Sequence, residues 1–246
     1  MRLNKRLRDI ETFGLQPGRK LARKYIVGEL LGTGWEGEVY HVTEIATGIE
    51  RAAKIFFPKR NPHNRAIKFY ARKLDKLRNC SMLIQYHTQE SFRYAGETIP
   101  FLVSEYVQGE LLTELLERQR GKRLPAFEAL HLLYVLTRGV EEIHRLGEYH
   151  GDLHSDNIIV NRVGLGFRVK VVDMYHWGRP TPAHLHDDIL FLIRILYDAV
   201  GGSAHYSKQP PEIKEICCGL KRSLILDKFR SARALREHLE TIQWSS

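Results

Sequence analysis

From Tyr25 the pattern of apolar and polar positions turns to strands, over 25–31, 38–45 and 49–57, with Ala46-Thr47-Gly48 as a turn between the last two. The period then changes. Ile67, Tyr70, Ala71, Leu74 and Leu77 form an apolar stripe, and Arg65, Lys68, Arg72 and Lys76 the wet face of a helix. Residues 101–107 read again as a strand, 111–119 as a helix, and 126–146 as a long helix with Leu130, Leu133, Val140 and Ile143 inward. Two short apolar runs follow, Ile158-Ile159-Val160 and Val169-Lys170-Val171-Val172, separated by Gly164-Leu165-Gly166; this spacing predicts a hairpin. Helices are expected over 188–198 and 227–244. Ser231 is placed as N-cap of the second, with Ala234, Leu235, Leu239 and Ile242 inward.

At 246 residues, 43% of them apolar and 27% charged, the chain can bury a core as one large domain or two modest lobes. No apolar run approaches the length of a membrane span, and no apolar segment follows the basic N-terminus as in a signal peptide. Cys80, Cys217 and Cys218 have no metal-ligand spacing; the adjacent pair reads as small buried apolar residues, and a reducing cytoplasm is the expected setting. The net charge of +9 is concentrated: residues 1–24 carry +6 and 58–79 carry +7, leaving −4 for the rest. Residues 1–24 read as a flexible basic arm or a short helix laid on the first lobe. Such basic segments suit an acidic partner, nucleic acid or an anionic surface, although a solvated face is the commoner explanation.

The candidate chemistry lies in His150-Gly151-Asp152-Leu153-His154-Ser155-Asp156-Asn157, a polar loop feeding the first strand of the hairpin. His, Asp and Asn are also ordinary turn residues, which is the plain alternative. The hairpin would bring Asn157 and Asp173 to one end, where an amide oxygen and a carboxylate suit a hard cation such as Mg²⁺. Asp152 is then left to accept a proton from an attacking hydroxyl. Further upstream, Gly32-Thr33-Gly34-Trp35-Glu36-Gly37-Glu38-Val39 is a G-x-G-x-x-G-x-V between two strands, where glycines let backbone amides approach phosphate oxygens. Lys54 follows in an otherwise apolar strand and calls for an anionic partner.

Taken in chain order, the glycine loop, Lys54, Asp152, Asn157 and Asp173 resemble the protein-kinase superfamily, from about Tyr25 to the C-terminus. The resemblance implies an α+β, two-lobed fold. Behind the arm 1–24 would come an N-lobe over 25–107, with a small antiparallel sheet, and a mainly helical C-lobe over 108–246. It implies ATP and Mg²⁺ as ligands, with Gly32, Gly34, Gly37 and Lys54 on phosphates and Asn157 and Asp173 on metal. Val39 and Ala52 would cover the purine, and the backbone of Glu105 and Val107 would bond it, with Ser104 guarding the pocket. Asp152 would be the catalytic base, with Lys54 and Asn157 beside it. Glu110 is expected either at a ribose hydroxyl or as a first-turn helix acid. Asp188, or Asp187 one register away, would brace the catalytic loop.

The departures are specific. Tyr70 stands where the family's helix supplies a Glu to the lysine, and residues 65–76 contain no Glu, so Lys54 is expected to pair with Asp173 or with phosphate alone. Gly151 replaces the arginine that reads an activation-loop phosphate, and His154 replaces a lysine common in Ser/Thr kinases. Asp173-Met174-Tyr175 replaces Asp-Phe-Gly, and only fourteen residues separate Asp173 from Asp188, leaving no room for the usual peptide platform. Within that interval Trp177 is expected to pack. The resemblance thus implies an ATP- and Mg-dependent kinase acting on a protein Ser/Thr hydroxyl. A small-molecule acceptor and a pseudokinase scaffold are the alternatives.

Overall fold

The computed structural model describes residues 10–164 and 166–243 and divides the chain into two compact units. One comprises the residues up to Arg78 together with Ile84–Val107; the other comprises Asn79–Leu83 and everything from Gln108.

The first unit is built on a six-stranded antiparallel sheet. Its strands are β1 (Lys20–Leu21), β2 (Tyr25–Thr33), β3 (Gly37–Glu44), β4 (Glu50–Phe56), β5 (Tyr86–Tyr94) and β6 (Glu97–Glu105), in the order β1-β2-β3-β4-β6-β5. Alternation puts Tyr40 and Val42 of β3 and Ala53 and Ile55 of β4 into one core with Val27, Phe101 and Val103. The helix α1 (Arg65–Lys76) buries Ile67, Tyr70 and Leu74 and exposes Arg65, Lys68, Arg72 and Lys76. The apolar pattern gives little sign of β5, an edge strand whose one buried apolar residue is Phe92. Its signal is the turn: Ala95 and Gly96, both at positive φ, make the two-residue link that antiparallel twist favours.

Of the expected arm, residues 1–9 lie outside the described residues; residues 10–24 are neither loose nor helical. They run through a turn at Pro17-Gly18 into β1 and bury Phe13, Leu15 and Leu21 in the sheet's core. Glu38 fastens them. Its carboxylate, 2% exposed, accepts from Thr12 Oγ1 (2.6 Å) and Phe13 N (3.1 Å), while Tyr40 donates to the same carboxylate and accepts from Leu15 N (3.1 Å). Burial, helped by Glu38, pushes the Tyr40 phenol up to about 12.

The second unit is mainly helical. Among the described residues its helices include α2 (Leu112–Arg118), α3 (Ala126–Arg145), α4 (Pro182–Ala199), α5 (Gly202–His205), α6 (Pro211–Cys217), α7 (Arg222–Lys228) and α8 (Ala232–Thr241). The long α3 buries Leu130, Leu133, Leu136, Val140 and Ile143 and packs against α4 and α8. Gly139 is required there, because a Cβ would lie 2.1 Å from Met82 Sδ. A small sheet, β7 (Glu110–Leu111), β8 (Ile158–Val163) and β9 (Gly166–Val171), completes the unit. The β8–β9 hairpin forms as the spacing predicts; Leu165 at its tip lies outside the described residues. Ser231 caps α8, its Oγ accepting from Ala234 N at 3.1 Å, but the helix starts at Ala232 because 222–228 forms the separate α7. Trp244, the end of the expected helix, is also outside the described residues. Cys217 is buried and its thiol pushed up to about 12, whereas Cys218 is half-buried at a left-handed helix end.

Candidate active site

In the first unit the glycine loop joins β2 to β3 and folds back on β4. Gly34 N donates to Gly37 O (2.9 Å), and Phe57 N donates to Glu36 O (2.9 Å). Gly37 is pressed onto the lysine strand: a Cβ there would sit 2.0 Å from the carbonyl oxygen of Ile55. Gly32 and Gly34 are different, with no atom within 4 Å of a Cβ, so their side-chain-free faces are open to a ligand.

Lys54 lies opposite Val39 and two residues from Ala52, so all three share one face of the sheet. Leu102 and Ser104 of β6, paired with Lys54 and Ala52, extend the same face. At its edge Ser104 Oγ donates to Glu105 O (3.4 Å), and Gln85 holds Glu105 from both sides. Val107 N makes no hydrogen bond among the described residues.

Lys54 is 9% exposed, and its Nζ lies 3.0 Å from Glu36 Oε2. The expected pairing with Asp173 or phosphate alone left this carboxylate out. Glu36 reaches Lys54 because the loop turns back on β4. Tyr70 does occupy the place opposite the lysine, with its ring centroid 4.7 Å from Nζ; the Phe56 ring lies 5.2 Å away on the same strand. An aromatic face stabilises a buried cation but offers no acceptor lone pair.

In the second unit the polar loop 150–157 hangs from a fully buried carboxylate. Asp188 Oδ2 accepts from His150 N (2.7 Å) and Oδ1 from Gly151 N (2.8 Å), with His144 Nε2 3.0 Å from Oδ2. Asp187, one residue earlier, is at the surface with Arg222 (2.7 Å), which resolves the register. Gly151 has φ +83°, and a Cβ would meet the Tyr149 ring at 2.8 Å, so no side chain, arginine included, fits there without rearrangement.

Asp152 follows, its side chain half exposed. His154 Nε2 stands 3.7 Å from Asp152 Oδ2, longer than a hydrogen bond. This charge-assisted contact nevertheless does most to hold the Asp152 carboxyl below the usual carboxylate range, and it raises the His154 imidazole in return. Asn157 Nδ2 donates to Asp152 O (2.8 Å), which leaves Oδ1 as the end of the amide available to a cation. The register Ile158↔Val171 and the bond from Val172 N to Asn157 O (2.9 Å) bring Asn157 beside the residue before Asp173. Asp173 itself has φ +54°, a strained backbone for a non-glycine residue, of the kind that clusters at functional sites. An amide oxygen and a carboxylate at one end of a hairpin fit a hard divalent cation.

The stretch after Asp173 is tied to this loop. Tyr175 N donates to His150 O (2.9 Å), Trp177 N to Tyr149 Oη (2.7 Å) and Trp177 Nε1 to Gly151 O (3.1 Å). Trp177 is thus a polar clasp; its ring packs on that of Tyr175 (centroids 4.5 Å apart), as expected, while the residue stays 65% exposed. Glu110 is in β7, paired with Arg118 (Nε–Oε2 2.7 Å), and the first-turn acid of α2 is Glu114. Glu36, the carboxylate against Lys54, is the neighbour that sequence reasoning missed. Its only signal is an acidic residue just before the last glycine of the loop.

Comparison with known proteins identifies the family and the fold. The protein kinase domain family matches residues 25–178. A probable serine/threonine-protein kinase of Streptomyces coelicolor is 30% identical over 162 residues, 65% of this chain and 23% of that protein. Human myotonin-protein kinase is 40% identical over 78 residues, 31% of this chain and 12% of its own length. The chain spans between 23% and 30% of the length of three bacterial relatives that it matches. A double mutant of the PknI kinase domain of Mycobacterium tuberculosis superposes with TM-score 0.69 at 19% identity, covering 92% of this chain and 98% of that one. The chain belongs to the protein-kinase family, with its two-lobed α+β fold.

Proposed function

We propose that this protein-kinase-family chain transfers the γ-phosphoryl group of ATP to a serine or threonine hydroxyl of a protein. The observation that carries the reading is Asp152: a half-exposed carboxylate, its pKa lowered chiefly by the contact to His154, on a loop whose backbone Asp188 and Asn157 both hold. Phosphoryl transfer is mostly positioning and charge stabilisation, so a fixed acceptor for the hydroxyl proton is what the fold must provide. Asp152 takes that proton as the hydroxyl oxygen bonds to the γ-phosphorus and the bond to the β–γ bridging oxygen breaks, releasing ADP. Lys54 and the open faces of Gly32 and Gly34 receive the phosphates, while Val39, Ala52 and the backbone of Glu105 and Val107 receive the purine. Mg²⁺ held by Asn157 and Asp173 offsets charge on the phosphate oxygens when bound.

The serine/threonine acceptor is supported by the names of the bacterial relatives. A small-molecule acceptor is the second reading, favoured by the short, clasped stretch between Asp173 and Asp188, which leaves little surface for a peptide. The free thiols suit the reducing cytoplasm, and no helix among the described residues is long and apolar enough to cross a membrane. The exposed cations of α1 would meet an acidic partner, nucleic acid or an anionic surface.

The test is transfer of radiolabelled γ-phosphate to the protein itself, a generic basic protein and cell extract. Asp152→Asn and Asp173→Ala should retain the wild-type thermal midpoint and lose label by about 10²-fold or more. Unchanged turnover in either variant sinks the assignment. Binding of Mg–ATP without transfer to any acceptor favours a pseudokinase.

A further inference from the structure

The geometry points to Glu36 as a positioning residue for Lys54: a glycine-loop carboxylate in the role that this family gives to a glutamate on the helix after the lysine strand. The inference rests on the phosphotransferase reading and adds to it the source of the lysine's alignment.

Several observations converge, all within the first unit. The helix offers no glutamate, and Tyr70 places an aromatic face, not an acceptor, 4.7 Å from Lys54 Nζ. Glu36 instead puts Oε2 3.0 Å from that nitrogen. Its backbone is fixed, because Phe57 N bonds Glu36 O and because the neighbouring Gly37 touches β4 so closely that only a glycine fits. The Lys54 side chain is 10% exposed and that of Glu36 25%, so the pair is shielded yet open on the carboxylate side. An ammonium has three donors, so the contact to Glu36 alone does not exhaust it. The phenyl face of Phe56 and the ring of Tyr70 limit where the ammonium can swing.

The arrangement has a mechanistic meaning. Glu36 stands one residue before β3 and is tied by its carbonyl to Phe57, just past β4, in line with the β3–β4 register Gly37↔Phe56, Glu38↔Ile55 and Val39↔Lys54. Alignment of the lysine therefore does not wait for α1 to bring a carboxylate to it. The opposite role for the same contact is competition, in which Glu36 occupies the lysine and phosphate must displace it. The two roles predict opposite signs on removal.

The experiment is a double-mutant cycle on the full chain with wild type, Glu36→Gln, Lys54→Met and the double variant. Mg–ATP dissociation constants come from displacement of a fluorescent ATP analogue, turnover from γ-phosphate transfer, and folding from thermal midpoints. With the midpoint unchanged, Glu36→Gln should lower kcat/KM by about tenfold or more and weaken ATP binding several-fold. In the Lys54→Met background it should cost nothing further, because its effect passes through the lysine. Tighter ATP binding, faster turnover, no change, or an equal loss without Lys54 overturns the inference. If wild type binds Mg–ATP but transfers no label, the phosphotransferase reading fails. The affinity cycle then decides Glu36 alone. A wild type that binds no ATP overturns both.

Discussion

Gly37→Ala is the sharpest structural prediction. The added methyl carbon would lie 2.0 Å from Ile55 O, and 2.9 Å from both Ile55 C and Phe56 Cα. Close carbon–oxygen contacts run at about 3.3 Å, so β3 and β4 must part by more than about 1 Å. All three obstructing atoms are backbone, and no rotamer change relieves them. Overpacking of this kind costs about 1–3 kcal/mol. Parting the strands also strains the bond from Phe57 N to Glu36 O, worth about another 1 kcal/mol. Together, about 2–4 kcal/mol lowers the melting midpoint by roughly 5–15 °C for a chain of this size. Gly32→Ala and Gly34→Ala meet open space and should stay within about 0.5 kcal/mol of wild type. Melting curves of the three variants, side by side, are the assay. If Gly37→Ala melts within about 2 °C of Gly34→Ala, a gap of about 0.5–1 kcal/mol, the steric reading of the loop is wrong. Loss of ATP binding by Gly34→Ala without loss of stability would place the need for that glycine at the phosphates.

Other outcomes follow from the second unit. Asp188→Ala strands the amides of His150 and Gly151; at about 1–3 kcal/mol each, urea denaturation should register a loss of about 2–6 kcal/mol. Asp188→Asn keeps one acceptor oxygen and should lose less; equal losses would remove the bracing role. For Asp152 and His154 the signs are opposite. The Asp152 pKa is depressed, so its contribution is present above the unfolded value and lost as pH falls through the folded one. His154 is raised, so its contribution is complete below the unfolded value and lost as pH rises through the folded one. NMR should find His154 titrating above the ordinary value of about 6.5, and His154→Gln should move the acid limb of kcat/KM to higher pH. A His154 midpoint at or below the ordinary value contradicts the contact.

Legibility in the sequence followed how local the cause was. Strands β2 to β4 and the turn at 46–48 were legible because alternation and turn chemistry sit within a few residues of each other. So was Asn157 at the end of a hairpin, since spacing alone sets it. Asp188 was legible as a pair of candidates, and only burial separates it from Asp187. Glu36 was not legible, because its partner is eighteen positions away and the loop must fold back before the two meet. Trp177 was legible only in part. A large aromatic in a short segment suggests packing, and its ring does lie on Tyr175, but the indole N–H bond to the Gly151 carbonyl depends on a residue 26 positions away. Phe13 and Leu15 are isolated apolar residues in a basic stretch, and nothing nearby announces that Glu38 and Tyr40 await them.

That buried anchorage sets where this protein can be cut. The region shared with other kinases begins at Tyr25, yet Phe13 stacks on Phe57 (5.7 Å), meets Tyr94 edge-on (5.2 Å) and accepts that tyrosine's hydroxyl through its carbonyl (3.1 Å). A fragment trimmed to the shared region would uncover those rings and leave the Glu38 carboxylate short of two of its donors. The smallest piece that can be expressed alone or grafted to another chain therefore starts no later than Thr12. The outline of ancestry and the outline of cohesion do not coincide in this molecule.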